Sequence, residues 1–293
     1  MEARAIIGTD GEINASGLAD LVPWWSFTKT ALAIALLRLS EAGRINLDKA
    51  VAGRIFTPTQ LLRHEAGLPD YGALPAYHAD VGAGRSPWPI EKLMATVEVD
   101  RLRYNPGEGW AFSIIGYWWV ARLIEQASDR PLAEALTDFV FGPAELTTAR
   151  LATVPADLAD VRMGDASDYH PGWVYHGLVV GTVTDAARLL HLLLMGTLVN
   201  ERTLFRMREP RALPQFRSDL YPDPAYAMGL MLQAIDPIDH PIGHSGGGPG
   251  SQIAVYGQRG VTCAVWASSD AGIDPVTEAY QTLGDGCNRD SAA

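Results

Sequence analysis

The chain has 293 residues, of which 47% are hydrophobic and 19% are charged, and its formal net charge is -11. This composition is typical of a well-packed globular protein, and the negative charge argues against nucleic acid or an anionic membrane as a partner. The chain starts without a basic-then-apolar leader, and its longest apolar run is too short to span a bilayer. We therefore expect a cytoplasmic protein, or a periplasmic one if a signal was removed.

The first predicted elements are two short strands within residues 3–14, joined by a turn, followed by an Ala- and Leu-rich helix that ends at Gly43. Ser26 is placed at the start of this helix, and Lys29 lies three residues later on the same face. The positive end of the helix dipole and burial among Trp and Phe both disfavour the ammonium form of Lys29. A neutral amine beside a serine hydroxyl is an arrangement that activates a nucleophile.

Both residues also have an ordinary structural explanation. Serine is a favoured N-cap residue, so Ser26 is equally consistent with a helix start alone. A lysine stem often extends to solvent, which would explain Lys29 without any chemistry. The pair is therefore suggestive, and the rest of the chain has to decide between these interpretations.

The middle of the chain is predicted to be mainly helical, with a long surface loop over residues 72–89. The predicted helices cover residues 57–64, 89–99, 113–126, 131–140, 184–195 and 200–207. The last part is predicted to form strands over 227–233, 251–256 and 261–266 and a helix over 273–283.

The simplest closure places both chain ends in one sheet. We predict an α/β (α+β) fold: an antiparallel sheet formed from both chain ends and flanked by helices, with an inserted, mainly helical subdomain. Residues 1–293 would form one catalytic unit. Its α/β subdomain would combine residues 1–56 and 208–293, and its helical subdomain would cover residues 57–207.

A second candidate region is the glycine-rich stretch from His244 to Gly250, which precedes a predicted strand. Small residues let the backbone approach a substrate closely, and a free N–H there would suit an oxyanion, although a hairpin turn also explains the glycines. The remaining histidines and the two cysteines show no metal-ligand spacing, so we expect no metal or other cofactor. We interpret those histidines, His176 among them, as structural or surface residues.

Six landmarks in this order resemble the serine β-lactamase and penicillin-binding-protein-like superfamily, closest to its class C β-lactamase, D,D-peptidase and esterase branch. They are Ser26-Phe-Thr-Lys29; Gly43-Arg-Ile-Asn-Leu-Asp48; Leu61-Leu-Arg-His-Glu-Ala-Gly-Leu-Pro-Asp-Tyr71; Pro106-Gly107 with Gly116-Tyr117; Gly177-Leu-Val-Val-Gly-Thr182 with Asp185-Ala-Ala-Arg188; and Gly243-His-Ser-Gly-Gly-Gly-Pro-Gly250. They extend over nearly the whole chain, which is strong evidence for a β-lactamase/transpeptidase-like fold.

The resemblance implies roles for the matched residues. Ser26 would be the nucleophile that forms an acyl-enzyme, and Lys29 its partner in proton transfer. The stretch His244-Ser245-Gly246 would replace the family's Lys-Thr-Gly or His-x-Gly strand motif, which lines the site and holds the carboxylate side of the substrate. The backbone N–H groups of Ser26 and Gly247 would form the oxyanion hole.

The chain departs from the family at its Tyr-x-Asn triplet, which counting from Pro106 places at Phe112-Ser113-Ile114. Phe112 cannot exchange a proton, and Ile114 cannot hydrogen-bond an amide, although both would line the substrate site. Either Lys29 acts as base alone or with a water, or a hydroxyl group substitutes for the tyrosine, or the protein has lost hydrolytic power. The candidate hydroxyls are those of Ser113, Tyr71 and Tyr104.

We therefore predict a serine hydrolase that acts through an acyl-enzyme on a small-molecule ester, amide or peptide. Because the tyrosine that helps an amine to leave is absent, esterase, amidase or peptidase activity is favoured over true β-lactamase activity. The alternative is a catalytically impaired penicillin-binding-like homologue that binds a ligand without efficient turnover.

Overall fold

The computed structural model describes residues 1–166, 168–236 and 239–290, with side chains as far as residue 284. Within this part of the chain, eight strands form one sheet in the order β2-β1-β11-β10-β9-β8-β7-β6, and three form a small sheet in the order β3-β5-β4. The strands are β1 (Glu2–Ile7), β2 (Ile13–Gly17), β3 (Val22–Pro23), β4 (Arg150–Ala152), β5 (Leu178–Gly181), β6 (Arg211–Ala212), β7 (Pro224–Tyr226), β8 (Met231–Gln233), β9 (Ile242–Gly248), β10 (Ser251–Gln258) and β11 (Val261–Ser268).

The main sheet joins the two ends of the chain. The N-terminal strand β1 pairs antiparallel with β11, with Ala3 opposite Trp266 and Ile7 opposite Thr262. The strands β9, β10 and β11 follow as an antiparallel meander. The predicted sheet of both chain ends is therefore confirmed, and it brings the His244 strand into the middle of the sheet.

Most of the helices lie in the part of the sequence between the N-terminal and C-terminal strands of the main sheet. They are α1 (Thr28–Glu41), α2 (Pro58–Leu62), α3 (Pro75–Gly82), α4 (Ile90–Thr96), α5 (Ile114–Ser128), α6 (Leu132–Leu136), α7 (Val183–Leu194), α8 (Glu201–Met207) and α9 (Pro275–Asp290). Helix α1 is buried along almost its whole length and packs against α5. None of the described helices is long and apolar enough to cross a membrane.

Several local predictions are wrong in detail. The predicted surface loop over 72–89 contains α3, which begins with Pro75 at a position where proline's fixed φ favours a helix start. Helix α7 is capped by the Thr182 side chain, two residues before the predicted cap. The glycines after His244 lie inside β9, and the turn follows them at Pro249-Gly250.

Candidate active site

Ser26 lies in a short 3₁₀ turn, Trp25–Phe27, that leads directly into α1. The small sheet fixes this turn, because β3 ends at Pro23 and pairs with β5. The helix itself begins at Thr28, two residues later than predicted, and no side chain caps it. Ser26 therefore does not act as an N-cap. Its Oγ lies 2.9 Å from the Nζ of Lys29, in the first turn of α1.

The Lys29 side chain is completely buried, with no solvent-exposed surface. Burial lowers its pKa from 10.5 to about 7, and the nearby negative charge of Asp70 only partly opposes this. The Nζ atom lies 4.9 Å from the ring centroid of Phe112 and 5.6 Å from that of Tyr117. The Lys29 Nζ donates to the Ser26 Oγ in this contact, and a pKa this low makes a neutral amine, which could accept the serine proton, accessible near pH 7.

Close backbone packing holds the serine turn against β9. Trp25 has a φ of 43°, which is unusual for a bulky residue and places strain directly before Ser26. Its indole Nε1 donates to the Oγ of Ser251 at 3.1 Å. A Cβ atom at Gly246 would lie 2.4 Å from the Ser26 nitrogen, and one at Gly248 would lie 2.5 Å from the Trp25 ring. Glycine at both positions therefore allows the contact between strand and turn.

A narrow cavity of about 60 Å³ opens at Ser26. Aromatic and apolar side chains dominate its wall, which also includes Gly247, the second predicted donor to the oxyanion. The lining residues are Trp25, Ser26, Tyr71, Tyr77, Ile114, Tyr169, Trp173, Val174, His176, Gly247, Gly248 and Pro249. No lysine or arginine is among these described lining residues, so the wall offers no fixed positive charge to a substrate.

His244 is buried in β9 but bonds away from the serine. Its Nδ1–H donates to the Ser245 carbonyl at 2.5 Å, and its Nε2 accepts from the Tyr226 hydroxyl at 3.1 Å. Burial, with the Lys29 charge as a second cause, lowers the pKa of His244 to about 3, so the ring is neutral. The Ser245 hydroxyl contacts the Met231 sulfur at 3.6 Å and lines a separate groove. Neither side chain is among the described residues that line the serine cavity.

The stretch from Phe112 to Ile114 lies beside Lys29, as its register predicts. The Ser113 hydroxyl caps α5 by accepting from the Gly116 nitrogen at 3.1 Å, and the Ile114 nitrogen donates to the Asp70 carboxylate at 2.7 Å. The Phe112 ring packs on Lys29, and the Ile114 side chain lines the cavity. Hydrogen bonds between side-chain oxygens and backbone N–H groups thus fix this segment, while the side chains of Phe112 and Ile114 carry no polar group.

The three hydroxyls considered as substitutes for the tyrosine each donate to a main-chain carbonyl. Ser113 donates to Pro69 at 2.7 Å, Tyr71 to Trp173 at 3.0 Å and Tyr104 to His64 at 3.1 Å. Within the described chain, none of them bonds to Lys29 or to Ser26. These hydroxyls serve to fix loops, although Tyr71 also lines the cavity.

Sequence reasoning missed the position of His176. Its Nε2 lies 3.4 Å from the Lys29 Nζ, its side chain lines the serine cavity, and the residue is only 2% exposed. Burial holds the pKa of His176 well below its ordinary value, and the Lys29 charge adds to this effect. The one sequence signal was a histidine directly before Gly177, where the chain enters β5 next to the strand that leads to Ser26.

Comparison with known proteins assigns the chain to a family. The sequence profile described as Beta-lactamase matches residues 18–286. The chain belongs to the beta-lactamase family. Penicillin-binding protein 4* of Bacillus subtilis (strain 168) is 28% identical over an alignment of 141 residues that covers 43% of this chain and 29% of that protein. The match thus spans under a third of this curated relative.

Solved structures similar to this member of the beta-lactamase family agree on the fold. A D-stereospecific amidohydrolase from Streptomyces sp. has a TM-score of 0.80 at 23% identity, covering 95% of this chain and 93% of that one. The D-amino acid amidase from Ochrobactrum anthropi SV3, complexed with L-phenylalanine amide, has a TM-score of 0.78 at 19% identity, and the match covers 99% of this chain and 94% of that one. The penicillin binding protein from Bacillus halodurans has a TM-score of 0.79 at 17% identity, and the match covers 96% of this chain and 95% of that one. The predicted fold class is therefore confirmed.

Proposed function

We propose that this beta-lactamase-family protein is a serine hydrolase that forms an acyl-enzyme on Ser26, with Lys29 as the general base. The observation that carries the proposal is the 2.9 Å contact between the Lys29 Nζ and the Ser26 Oγ. It occurs where burial has lowered the lysine pKa to about 7. A general base is most effective when its pKa lies close to the working pH.

The reaction starts when neutral Lys29 takes the Ser26 proton and the Oγ attacks the carbonyl carbon. The oxyanion that forms is held by the N–H groups of Ser26 and Gly247. The packing of Gly246 against the Ser26 nitrogen supports this assignment, because it keeps the serine turn next to β9, which carries Gly247.

The proposed substrates are small, uncharged esters. The cavity is narrow and apolar, and its described wall contains no lysine or arginine that would pair with a substrate carboxylate. His244 is neutral because its pKa is about 3, so the strand motif adds no charge either. An ester leaves as an alkoxide and needs less protonation than an amine, which suits a site with Phe112 in the tyrosine position. Amides and carboxylate-bearing β-lactams should therefore be poorer substrates.

The similar structures add one substrate class to test. Two of them are a D-stereospecific amidohydrolase and a D-amino acid amidase. Esters and amides of D- and L-phenylalanine therefore belong in the substrate panel beside simple acetate esters. A preference for the D-ester would connect this site to the substrates that those proteins are named for.

A second candidate function is ligand binding without efficient turnover. The observation that favours it is the apolar character of Phe112 and Ile114, where the resemblance implies a tyrosine and an asparagine. In that case a ligand would acylate Ser26 slowly or occupy the cavity without reacting.

Covalent labelling separates the two functions. The protein is treated with a fluorophosphonate and with a penicillin, and the intact mass and the labelled peptide are measured, with Ser26→Ala as control. One adduct per chain on Ser26 and steady turnover of 4-nitrophenyl acetate are expected for a hydrolase. An adduct without turnover supports the binding function, and labelling at another residue would show that the nucleophile is assigned wrongly.

A further inference from the structure

The site lacks the phenolic hydroxyl that would pass a proton to the leaving group. When the tetrahedral intermediate collapses, an alkoxide leaves and has to gain a proton. Phe112 has none to give, and the hydroxyls of Ser113, Tyr71 and Tyr104 are all engaged with carbonyl groups. Some other group has to be considered for this step.

His176 has the position and the chemistry for it. Its Nε2 lies 3.4 Å from the Lys29 Nζ, and its side chain lines the same cavity as Ser26. Its Nδ1 is buried and has no hydrogen-bond partner in the part of the chain that the structure describes. A buried polar atom without a partner is costly to the fold, which points to a partner supplied by a bound molecule.

The surroundings of His176 keep its ring neutral between transfers. Burial is the main cause that lowers its pKa, and the Lys29 charge adds to it. The centroid of the Tyr117 ring lies 6.4 Å from that of His176. A neutral imidazole has one nitrogen that donates and one that accepts, so it can take a proton on one side and release it on the other.

We propose that His176 relays protons between Lys29 and the departing or attacking oxygen, taking the place of the tyrosine that Phe112 replaces. This role rests on the proposed function of Ser26 and Lys29. It requires the tautomer in which Nδ1 carries the hydrogen and the Nε2 lone pair faces the lysine.

The protons balance during acylation. The Ser26 Oγ proton passes to the Lys29 amine while the Oγ–carbon bond forms and the carbonyl electrons move onto the oxygen. On collapse the carbon–alkoxide bond breaks, and the alkoxide takes the Nδ1 proton of His176. The Lys29 ammonium then returns a proton to Nε2. The products of this step are the acyl-enzyme, an alcohol, neutral Lys29 and His176 in its other tautomer.

Deacylation runs the relay in reverse and restores the site. Water gives a proton to Nδ1 of His176, Nε2 passes its proton to Lys29, and the hydroxide oxygen bonds to the acyl carbon. Collapse breaks the bond to the Ser26 Oγ, which takes back the proton from Lys29. The acid is released, and each group returns to its starting form.

A series of leaving groups tests this role. The kcat/KM values for 4-nitrophenyl, phenyl and ethyl acetate are measured for the wild type and for His176→Gln. Nitrophenolate leaves without a proton, so its ester should lose about tenfold or less, while the ethyl ester should lose about 10²–10⁴-fold. The comparison is made among the three esters of one variant, so a smaller folded fraction scales all three values equally.

The matched control is His64→Asn. His64 is as deeply buried as His176, and its Nε2 likewise has no hydrogen-bond partner within the described chain, but it is not among the described residues that line the serine cavity. Its Nδ1 accepts from the Ser113 nitrogen at 3.2 Å, and asparagine tolerates the φ of 58° at position 64. This variant should leave the ratios among the three esters unchanged. Adding Phe112→Tyr to His176→Gln should restore part of the ethyl acetate activity, because it returns a phenol to the place beside Lys29.

The outcomes separate this proposal from the proposed function. If His176→Gln lowers all three kcat/KM values by the same factor, the relay is excluded while the hydrolase stands. If the wild type hydrolyses none of the esters and Ser26 takes no label, both proposals are excluded. A steeper dependence on the leaving group in His176→Gln alone, with recovery by Phe112→Tyr, supports the relay.

Discussion

Two segments that meet at Lys29 differ in whether they carry the side chains that the family resemblance implies. The serine turn carries the proposed nucleophile and base, with the Ser26 hydroxyl 2.9 Å from the lysine amine. The segment from Phe112 to Ile114 keeps its place through the Ser113 cap and the Asp70 bond, but it presents a phenyl ring and an alkyl group. The position of this segment therefore depends on hydrogen bonds from the Ser113 and Asp70 side chains to backbone N–H groups, whereas its chemistry depends on the side chains of Phe112 and Ile114. The chemistry can differ while the position stays the same.

The largest effect is expected from Ser26→Ala, which removes the reactive atom of the first segment. Ester hydrolysis should fall more than about 10⁴-fold, because residues that act as a unit lose nearly all catalysis together. Since Ser26 caps no helix, the free energy of unfolding should change by less than about 1 kcal/mol. Activity and chemical denaturation are measured beside Ser16→Ala, an exposed serine of β2. Turnover at the wild-type rate would show that Ser26 is not the nucleophile.

The next effect is expected from Lys29→Arg, which keeps the positive charge but cannot lose its proton. We expect kcat/KM to fall about 10²–10⁴-fold, nearly as far as in Lys29→Ala, because a general base is lost. The control is Lys49→Arg at an exposed position. Substantial activity in Lys29→Arg would mean that the lysine supplies only charge.

A smaller effect is expected from Gly246→Ala, which disturbs the contact between β9 and the serine turn. The added Cβ would lie 2.4 Å from the Ser26 nitrogen, so strand and turn have to separate. A shift of about 1 Å at a catalytic group costs up to about 10²-fold in rate. The rate of fluorophosphonate labelling is compared with that of Gly82→Ala, where a Cβ meets no atom within 4 Å. Equal labelling rates in the two variants would contradict the assigned packing.

The smallest effect is expected when chemistry is returned to the second segment by Phe112→Tyr with Ile114→Asn. The phenol should protonate an amine leaving group and the amide should bind the substrate, so the ratio of amide to ester turnover should rise by about tenfold. The kcat/KM values for a matched ester and amide are measured. The control is Phe139→Tyr, which makes the same substitution at a ring that packs on Arg44. An unchanged ratio in a folded double variant would show that residue 112 does not occupy the position of the family's tyrosine.

Much of this arrangement follows from the sequence because its signals are local. The start of α2 at a cap residue and a proline, the glycine end of α1 and the strands β8, β10 and β11 were predicted from neighbouring residues, whereas β6, β7 and β9 were not. The position of Phe112 beside Lys29 followed from counting along a family landmark. Family membership and the antiparallel sheet are confirmed.

The features that the sequence did not predict depend mainly on contacts between distant parts of the chain. His176 meets Lys29 across 147 positions of sequence, and no spacing rule connects them. Helix α3 was missed because the Gly and Pro residues around it are typical of loops, whereas Pro75 at its first turn favours a helix. The neutral state of His244 follows from its burial, with the Lys29 charge as a second cause, and only the folded chain creates both.

The burial of Lys29 also gives the protein a pH-dependent stability. Its pKa is about 7 when folded and 10.5 in the ordinary state, so unfolding takes up a proton between these values and the unfolded chain binds more protons there. Stability should therefore rise as pH increases from 7 to 10.5, and the lysine lowers the free energy of unfolding by roughly 5 kcal/mol below that window. Urea unfolding at pH 7 and 9 should show roughly 2 kcal/mol of this difference, and Lys29→Met should abolish it. Lys29 thus destabilises the fold most at and below the pH at which its amine becomes protonated.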